Sequence, residues 1–247
     1  MPTSDRAICL RTSDYSETSQ VISLLTRESG LVRLMAKGSK RPKSKSGGRV
    51  DLTAEGRCVY SAGRRESLGT LIEFAETISH SDLRADLRRL NTALFMIELT
   101  DSLLAEHDPH PEAFDLLHNA LARLGQADAS PAAVGAYFHF RLLRHAGLLG
   151  NLSACVNCGR PPGIRDVYFA GALGGLLCGA CEPAQAEKSA VSRPALSGLA
   201  ALAAAEIGER PKLPDAQARA ATALLIYHTE YQLGRRLKTA RYVTAPP

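Results

Sequence analysis

Tryptophan is absent from these 247 residues, and aromatic residues of all kinds make up only 5%. In residues 1–80 the aromatic side chains are Tyr15, Tyr60 and Phe74. A ligand site built mainly on stacked rings is therefore disfavoured, since such sites need a row of exposed aromatics. The phosphate-loop pattern G-x-x-x-x-G-K-[ST] is also missing, so nothing points to ATP use. Neither a G-x-S-x-G elbow nor an H-E-x-x-H helix occurs. His80, His107, His110, His118, His139, His145 and His228 are scattered, and no carboxylate pair sits in an apolar frame. These absences point away from an enzyme. No apolar run approaches the roughly 20 residues that span a bilayer. The opening M-P-T-S-D-R lacks the basic-then-apolar order of a secretory leader. The expectation is a cytoplasmic protein with no membrane contact.

What is abundant is positive charge in one place. Residues 1–80 hold 13 Lys and Arg against 9 Asp and Glu, whereas the remainder holds 17 against 16. The excess centres on K-G-S-K-R-P-K-S-K-S-G-G-R, which carries Lys37, Lys40, Arg41, Lys43, Lys45 and Arg49 with no acid. Lys and Arg resist burial without partners, and Gly, Ser and Pro favour loops. Such a segment can lay cations and backbone N–H groups along a polyanion, which is the pattern of a phosphate-binding loop for nucleic acid. It can equally be a solvated loop that keeps the chain soluble.

The segment lies between runs that read as strands. These are Ala7–Arg11, Gln20–Thr26, Leu31–Ala36, Val50–Tyr60 and Thr70–Ile78, the last with Ile72, Phe74 and Ile78 on one face. Five short strands in about 75 residues suit a small OB-type barrel, with the basic loop between the third and fourth strands. From residue 81 the period changes to that of helices. Leu83, Leu87, Leu90, Leu94 and Ile97 form one stripe, with Asp82 as its expected cap. Phe114, Leu117, Leu121 and Leu124 form the next stripe. Ser130-Pro131 marks a cap followed by Pro at the first helical position, ahead of Val134, Tyr137, Phe138 and Leu142. Ala-rich helices are expected near 194–208 and 215–236.

Between the third and fourth helices stand Cys155-Val156-Asn157-Cys158 and Cys178-Gly179-Ala180-Cys181, a C-x2-C-x19-C-x2-C pattern. Four thiolates at this spacing can close a tetrahedral shell around one Zn2+ and leave no open position, so the site is expected to be structural. A reducing compartment argues against disulfides. Val167–Phe169 and Leu173–Leu177 are expected to form a hairpin between the pairs. Cys9 and Cys58 read as small core residues. The fold class is thus α+β: a five-stranded OB-type barrel over residues 1–80, then an all-helical domain over 81–247 with a zinc-binding insertion at about 151–190.

The opening A-I-C-L-R-T-S-D-Y-S-E-T-S-Q-V-I-S-L-L-T-R-E-S-G-L-V-R-L-M-A-K-G-S-K-R-P-K-S resembles the N-terminus of the RecO family of bacterial DNA repair proteins. The matching positions are Arg11, Asp14-Tyr15, Glu17, Leu25-Thr26, Gly30, Ala36-Lys37-Gly38 and Arg41-Pro42-Lys43-Ser44. Gly234-Arg235-Arg236-Leu237-Lys238-Thr239 resembles the basic segment near that family's C-terminus. The resemblance implies a recombination mediator that binds single- and double-stranded DNA and anneals complementary strands. It also implies partnership with RecR, with single-strand-binding protein and, indirectly, with RecA, at the nucleoid. The expected phosphate contacts are Lys37, Lys40, Arg41, Lys43, Lys45 and Arg49, joined by Arg33 if its strand face is exposed. Arg235, Arg236, Lys238 and Arg241 would extend the track, although cations at a helix end also serve the helix dipole. The competing class is a zinc-containing protein–protein adaptor with a basic solubility loop.

Overall fold

The structure, a computed structural model, describes residues 2–41, 44, 47–63, 67–206 and 212–245. Two compact units organise it, one of residues 1–86 with 97–125 and the other of 87–96 with 126–247.

In the first unit, β1 (Thr3–Asp14), β2 (Gln20–Thr26), β3 (Gly30–Ala36), β4 (Glu55–Ser61) and β5 (Gly69–Ile78) close into a barrel of order β1-β2-β3-β5-β4. Every pairing is antiparallel except β3 with β5. Closure removes the free sheet edges that a five-stranded meander would otherwise expose. The expected OB-type barrel is thus present. Alternation along the strands sends Ala7, Cys9, Ile22, Leu24, Val32, Leu34, Cys58 and Tyr60 inward. Burial pushes the thiols of Cys9 and Cys58 up to about 12, so both are inert packing groups.

Three strand expectations need correction. The opening strand is longer than Ala7–Arg11, carries a register shift between Cys9 and Arg11, and buries Ile8 and Leu10 as well as Ala7 and Cys9. Residues 50–54 are not strand, although Val50 and Ala54 still enter the core. Ile72 and Ile78 do not share a buried face with Phe74. The β4–β5 register slips between Val59 and Tyr60 and again between Glu55 and Gly56, so Ile72 and Thr77 are the extra residues of two bulges. Leu71 and Phe74 point inward, while Ile72 and Ile78 are exposed. A bulge breaks the period of two on which the face assignment rested.

A 3-10 turn over Ser81–Ala85 precedes α1 (Leu87–Leu103). Asp82 lies inside that turn, whose preceding residue is His80, and is not its N-cap. Of the stripe from Leu83 to Ile97, Leu83 and Ile97 are buried, Leu90 and Leu94 are half-buried and Leu87 is exposed, while the buried face of α1 also takes in Thr92, Ala93, Phe95, Met96 and Leu99. The two ends of α1 belong to different units, so its buried face changes along its length.

Helix α2 (Pro111–Leu124) buries Phe114, Leu117, Leu121 and Leu124 as expected. It also closes a polar network onto the barrel. Arg27 grips the Asp115 carboxylate through two N–H groups at 3.1 and 2.9 Å. Arg6 stacks over the Phe114 ring at 5.1 Å. Glu55, buried on β4, receives Arg6 at 2.9 Å and the His118 ring at 2.7 Å. The His80 ring lies 4.0 Å away, beyond hydrogen-bond reach. Burial alone would raise Glu55, but His80, His118 and Arg6 outweigh it and bring the carboxyl from 4.5 down to about 2.

In the second unit, α3 (Pro131–His145) starts at Ser130, whose hydroxyl accepts the Ala133 N–H. Its buried face includes Phe138 and Leu142 but also Gly135, Ala136, His139, Phe140 and Leu143, while Val134 and Tyr137 are only half-buried. Helices α4 (Arg193–Ala204), α5 (Asp215–Leu233) and α6 (Ala240–Thr244) follow, and residues 207 and 208 of the expected fourth helix lie outside the described residues. The expected hairpin is β6 (Val167–Ala170) with β7 (Gly175–Cys178), and an unanticipated β8 (Lys188–Ala190) pairs on the other side of β6. His228 on α5 secures this sheet to the helices. Its Nδ1 meets the Gly171 carbonyl and its Nε2 the Leu148 carbonyl, both at 2.8 Å. Gln232 adds an N–H to the Gly171 carbonyl at 3.2 Å.

The Glu55 network makes a pH prediction. A carboxyl held lower in the folded than in the unfolded chain stabilises the fold above the unfolded value and ceases to do so as pH falls through the folded value. The melting temperatures of the protein and of Glu55→Gln should therefore differ at neutral pH and converge as pH falls from 4.5 towards about 2. Thermal melts across that window check it, and a constant difference would contradict it.

Candidate functional site

The basic segment leaves the barrel after β3 and returns before β4. Both of its ends are fixed by one side chain. Gln20 on β2 is fully buried, and its Oε1 accepts the Ser39 hydroxyl at 3.1 Å and the Val50 N–H at 3.2 Å. Its Nε2 donates to the Val50 carbonyl at 3.3 Å. A buried amide satisfies polar groups that would otherwise be stranded. Here it does so for both stems of the loop.

Further bonds seat the near end of the loop against the β1–β2 connection. Lys40 N–H donates to Thr18 O at 3.1 Å and Gly38 N–H to Ser19 Oγ at 3.1 Å. The Lys40 ammonium reaches Asp14 at 2.9 Å and the Ser16 carbonyl at 3.2 Å. Lys40, first among causes, draws the Asp14 carboxyl below its ordinary range. Gly38 turns the chain with a φ of +67°, and the Arg41 side chain lies across the space that a β-carbon there would face. The two loops thereby enclose a shallow concavity lined by Tyr15, Ser16, Met35, Lys37, Gly38 and Arg41.

The cations expected to hold phosphate are thus not equivalent. Lys37 and Arg41 line the concavity. Lys40 clips its wall. Arg49 is exposed and lies 3.6 Å from Asp51. Arg33 is exposed on the outer face of β3, with Glu106 at 3.1 Å. Lys43 and Lys45 lie outside the described residues. Arg235, Arg236 and Lys238 are exposed in the second unit, just past the end of α5. The buried Leu237 anchors that segment, its N–H bonding to Glu230 Oε1 at 2.9 Å. Gln20, Ser39 and Asp14 escaped the sequence reading, since nothing local marks a strand glutamine as a partner of residues 19 and 30 positions away.

The second site is the cysteine quartet. Cys155 and Cys158 flank a knuckle, Cys178 ends β7 and Cys181 begins the next turn. The four sulfurs lie within 4.8 Å of one another, and Cys158 and Cys178 are 3.8 Å apart. Metal–sulfur bonds of about 2.3 Å in a tetrahedron require edges of about 3.8 Å, so the spacing fits one ion. The knuckle is closed by Cys155 N–H to Arg160 O and Gly159 N–H to Cys155 O, both 2.8 Å, with Gly159 at a φ of +72°. Burial would raise the Cys155 thiol, but backbone N–H groups of Cys178, Cys158 and Asn157 bring it down to about 6. Arg160, through its backbone N–H and then its guanidinium, lowers Cys158. The N–H groups therefore favour thiolate, the form that binds metal, at Cys155 and Cys158, whereas at Cys181 the Asn157 side chain is outweighed by the neighbouring Cys158 and Cys178 and the thiol is pushed up to about 11.

A closed OB-type barrel bearing a pinned basic loop, with a separate helical unit holding a four-thiol cluster, defines the class of protein. The N-terminal model of recombination protein O matches residues 1–81, and the C-terminal model of recombination protein O matches residues 84–241. The DNA repair protein RecO of Anaeromyxobacter dehalogenans strain 2CP-C is 35% identical over 242 residues, covering 96% of this chain and 93% of the relative. That of Myxococcus xanthus strain DK1622 is 34% identical over 239 residues, covering 97% and 96%. The chain belongs to the RecO family of DNA repair proteins. Among the described residues, no helix is long and apolar enough to cross a membrane.

The Gln20 bridge carries a prediction. Gln20→Leu would leave the Ser39 hydroxyl and both Val50 backbone groups buried without this partner, at about 1–3 kcal/mol for each group left unpaired. Urea unfolding should show lower stability, and trypsin should cut between Lys37 and Arg49 faster than in the parent. Equal cutting rates would show that Gln20 does not hold the loop.

Proposed function

We propose that the barrel loop is a phosphate-contacting DNA site and that this chain acts as a recombination mediator. In this reading Lys37, Arg41, Lys43, Lys45 and Arg49 neutralise phosphates, with Arg33 at the flank and Lys40 holding the wall. Arg235, Arg236 and Lys238 supply a second basic patch on the helical unit. The observation that carries the reading is the anchoring of the basic segment at both ends. A run of cations that merely kept the chain soluble would need no such stem.

Phosphate contacts position a nucleic acid without reading its sequence. The protein would therefore bind single and double strands of any sequence. It would anneal complementary strands by screening their charges while the bases stay free. It would work with RecR at single-strand-binding protein on the nucleoid, to help RecA load. Binding and charge neutralisation suffice for this, so no catalytic step is invoked. The quartet would hold one structural Zn2+, because four soft thiolates suit zinc and leave it no open position. The relatives' printed name, DNA repair protein RecO, supports the same reading.

Replacing Lys40, Arg41, Lys43 and Lys45 together by alanine tests the DNA site. The slope of log affinity against log salt for single strands should become shallower by about 0.7 for each phosphate that is no longer neutralised. An unchanged affinity and slope would overturn it. For the metal, native mass spectrometry should find one zinc per chain in the parent and none in Cys155→Ser/Cys178→Ser. Freely reactive thiols at all four positions with no bound ion would overturn the zinc assignment.

A further inference from the structure

The concavity beside the loop holds more than charge. Tyr15 stands on its rim and is 69% exposed, whereas Tyr60 and Phe74 are 4% exposed and belong to the core. The ring surface that residues 1–80 present outward is therefore that of Tyr15. Its backbone is fixed by the Tyr15 N–H bond to Ser19 O at 3.0 Å, and Ser16 N–H meets the same carbonyl at 3.3 Å. The Met35 thioether lines the concavity from the outer face of β3, where it pairs with Val21. Lys37 and Arg41 line it from the turn that follows. An exposed ring, a polarisable apolar side chain and two cations thus share one small concavity whose walls are held by backbone bonds. An exposed ring is ordinary by itself. Its place in one concavity with Met35 and two cations matches the parts of one nucleotide, a flat base and an anionic phosphate.

We propose that this concavity is a subsite for one unpaired nucleotide of single-stranded DNA. The base lies on the Tyr15 ring with Met35 against its edge, and the adjoining phosphate meets Lys37 and Arg41. This rests on reading the Lys37–Arg49 segment as a phosphate site, and it adds a preference that phosphates alone cannot give. In a duplex both faces of each base are already stacked, so a double strand uses the cations but not the ring. A single strand uses both. Tyr15 is thus the residue that separates the two ligands, while Lys37 and Arg41 serve either.

The test uses the full chain with a labelled thymidylate oligomer and a labelled duplex of equal length, followed by fluorescence anisotropy. Removing an aromatic platform by alanine substitution costs about 1–3 kcal/mol per stacked base, so Tyr15→Ala should weaken oligomer binding about 5- to 140-fold. Duplex binding and both salt slopes should stay as they were. Tyr15→Phe keeps the ring and should retain single-strand affinity. Lys37→Ala/Arg41→Ala should weaken both ligands and flatten both slopes. If that double variant weakens both while Tyr15→Ala changes neither, or lowers both equally, the phosphate reading stands and the nucleotide subsite is overturned. If the double variant changes neither ligand, the phosphate half of the proposal fails, and the loop reading with it.

Discussion

The buried amide of Gln20 is the constraint on which the candidate site depends. A segment rich in Gly, Ser and Lys gains nothing from packing, and ordering it costs backbone entropy of about 1–2 kcal/mol per residue. A site built there can be defined only at points where the barrel supplies fixed partners. Gln20 supplies them to Ser39 and Val50 from a strand whose neighbours Ile22 and Leu24 are locked in the core. The amide suits this task because one oxygen accepts two donors while the nitrogen returns a bond to the same Val50 backbone.

The same logic of external support governs the thiol cluster. The sheet that carries it has strands of only 4, 4 and 3 residues. Such a sheet buries too little apolar surface to fold alone. It is stabilised from two directions. The helical unit grips it through His228 and Gln232 at the β6–β7 turn. One metal ion held by the four sulfurs would tie the knuckle, the end of β7 and the turn after it together. Backbone N–H groups aimed at Cys155 and Cys158 favour the thiolate form needed to bind metal, so the peptide geometry is already suited to an ion.

What the sequence made legible was local. β2 and β3 stand where the apolar runs placed them, the Ser130-Pro131 signal begins α3, and the C-x2-C pairs converge, because each depends on residues a few positions apart. What it hid was set by distant partners. Two extra residues, Ile72 and Thr77, changed the faces along β5, and no feature of that strand announces bulges whose register belongs to the pair with β4. Leu87 looked like the second member of an apolar stripe that starts at Leu83, but it is exposed, and α1 answers to two units in succession. Strand β8 carries Lys-Ser-Ala and gains its identity only from pairing with β6. In the site, the basic residues were visible and their division of labour was not. Lys40 differs from Lys37 because Asp14 and the Ser16 carbonyl lie beside it, across a loop of the barrel.

The scarcity of aromatics then acquires a physical meaning on the proposed reading. A surface that grips every base by stacking would hold a strand firmly and hide the faces it must offer to a complement. A surface of cations alone would hold single and double strands alike and release neither in preference. Lys and Arg around one ring fall between these limits. The phosphates supply most of the attraction, and it weakens with salt as counterions are released. A single stacked base adds a bias towards the unpaired strand that is small enough to surrender when pairing restacks it. Tyr15 at the rim of a concavity held by Ser19, with its two aromatic companions consigned to the core, gives the barrel that one ring and no more.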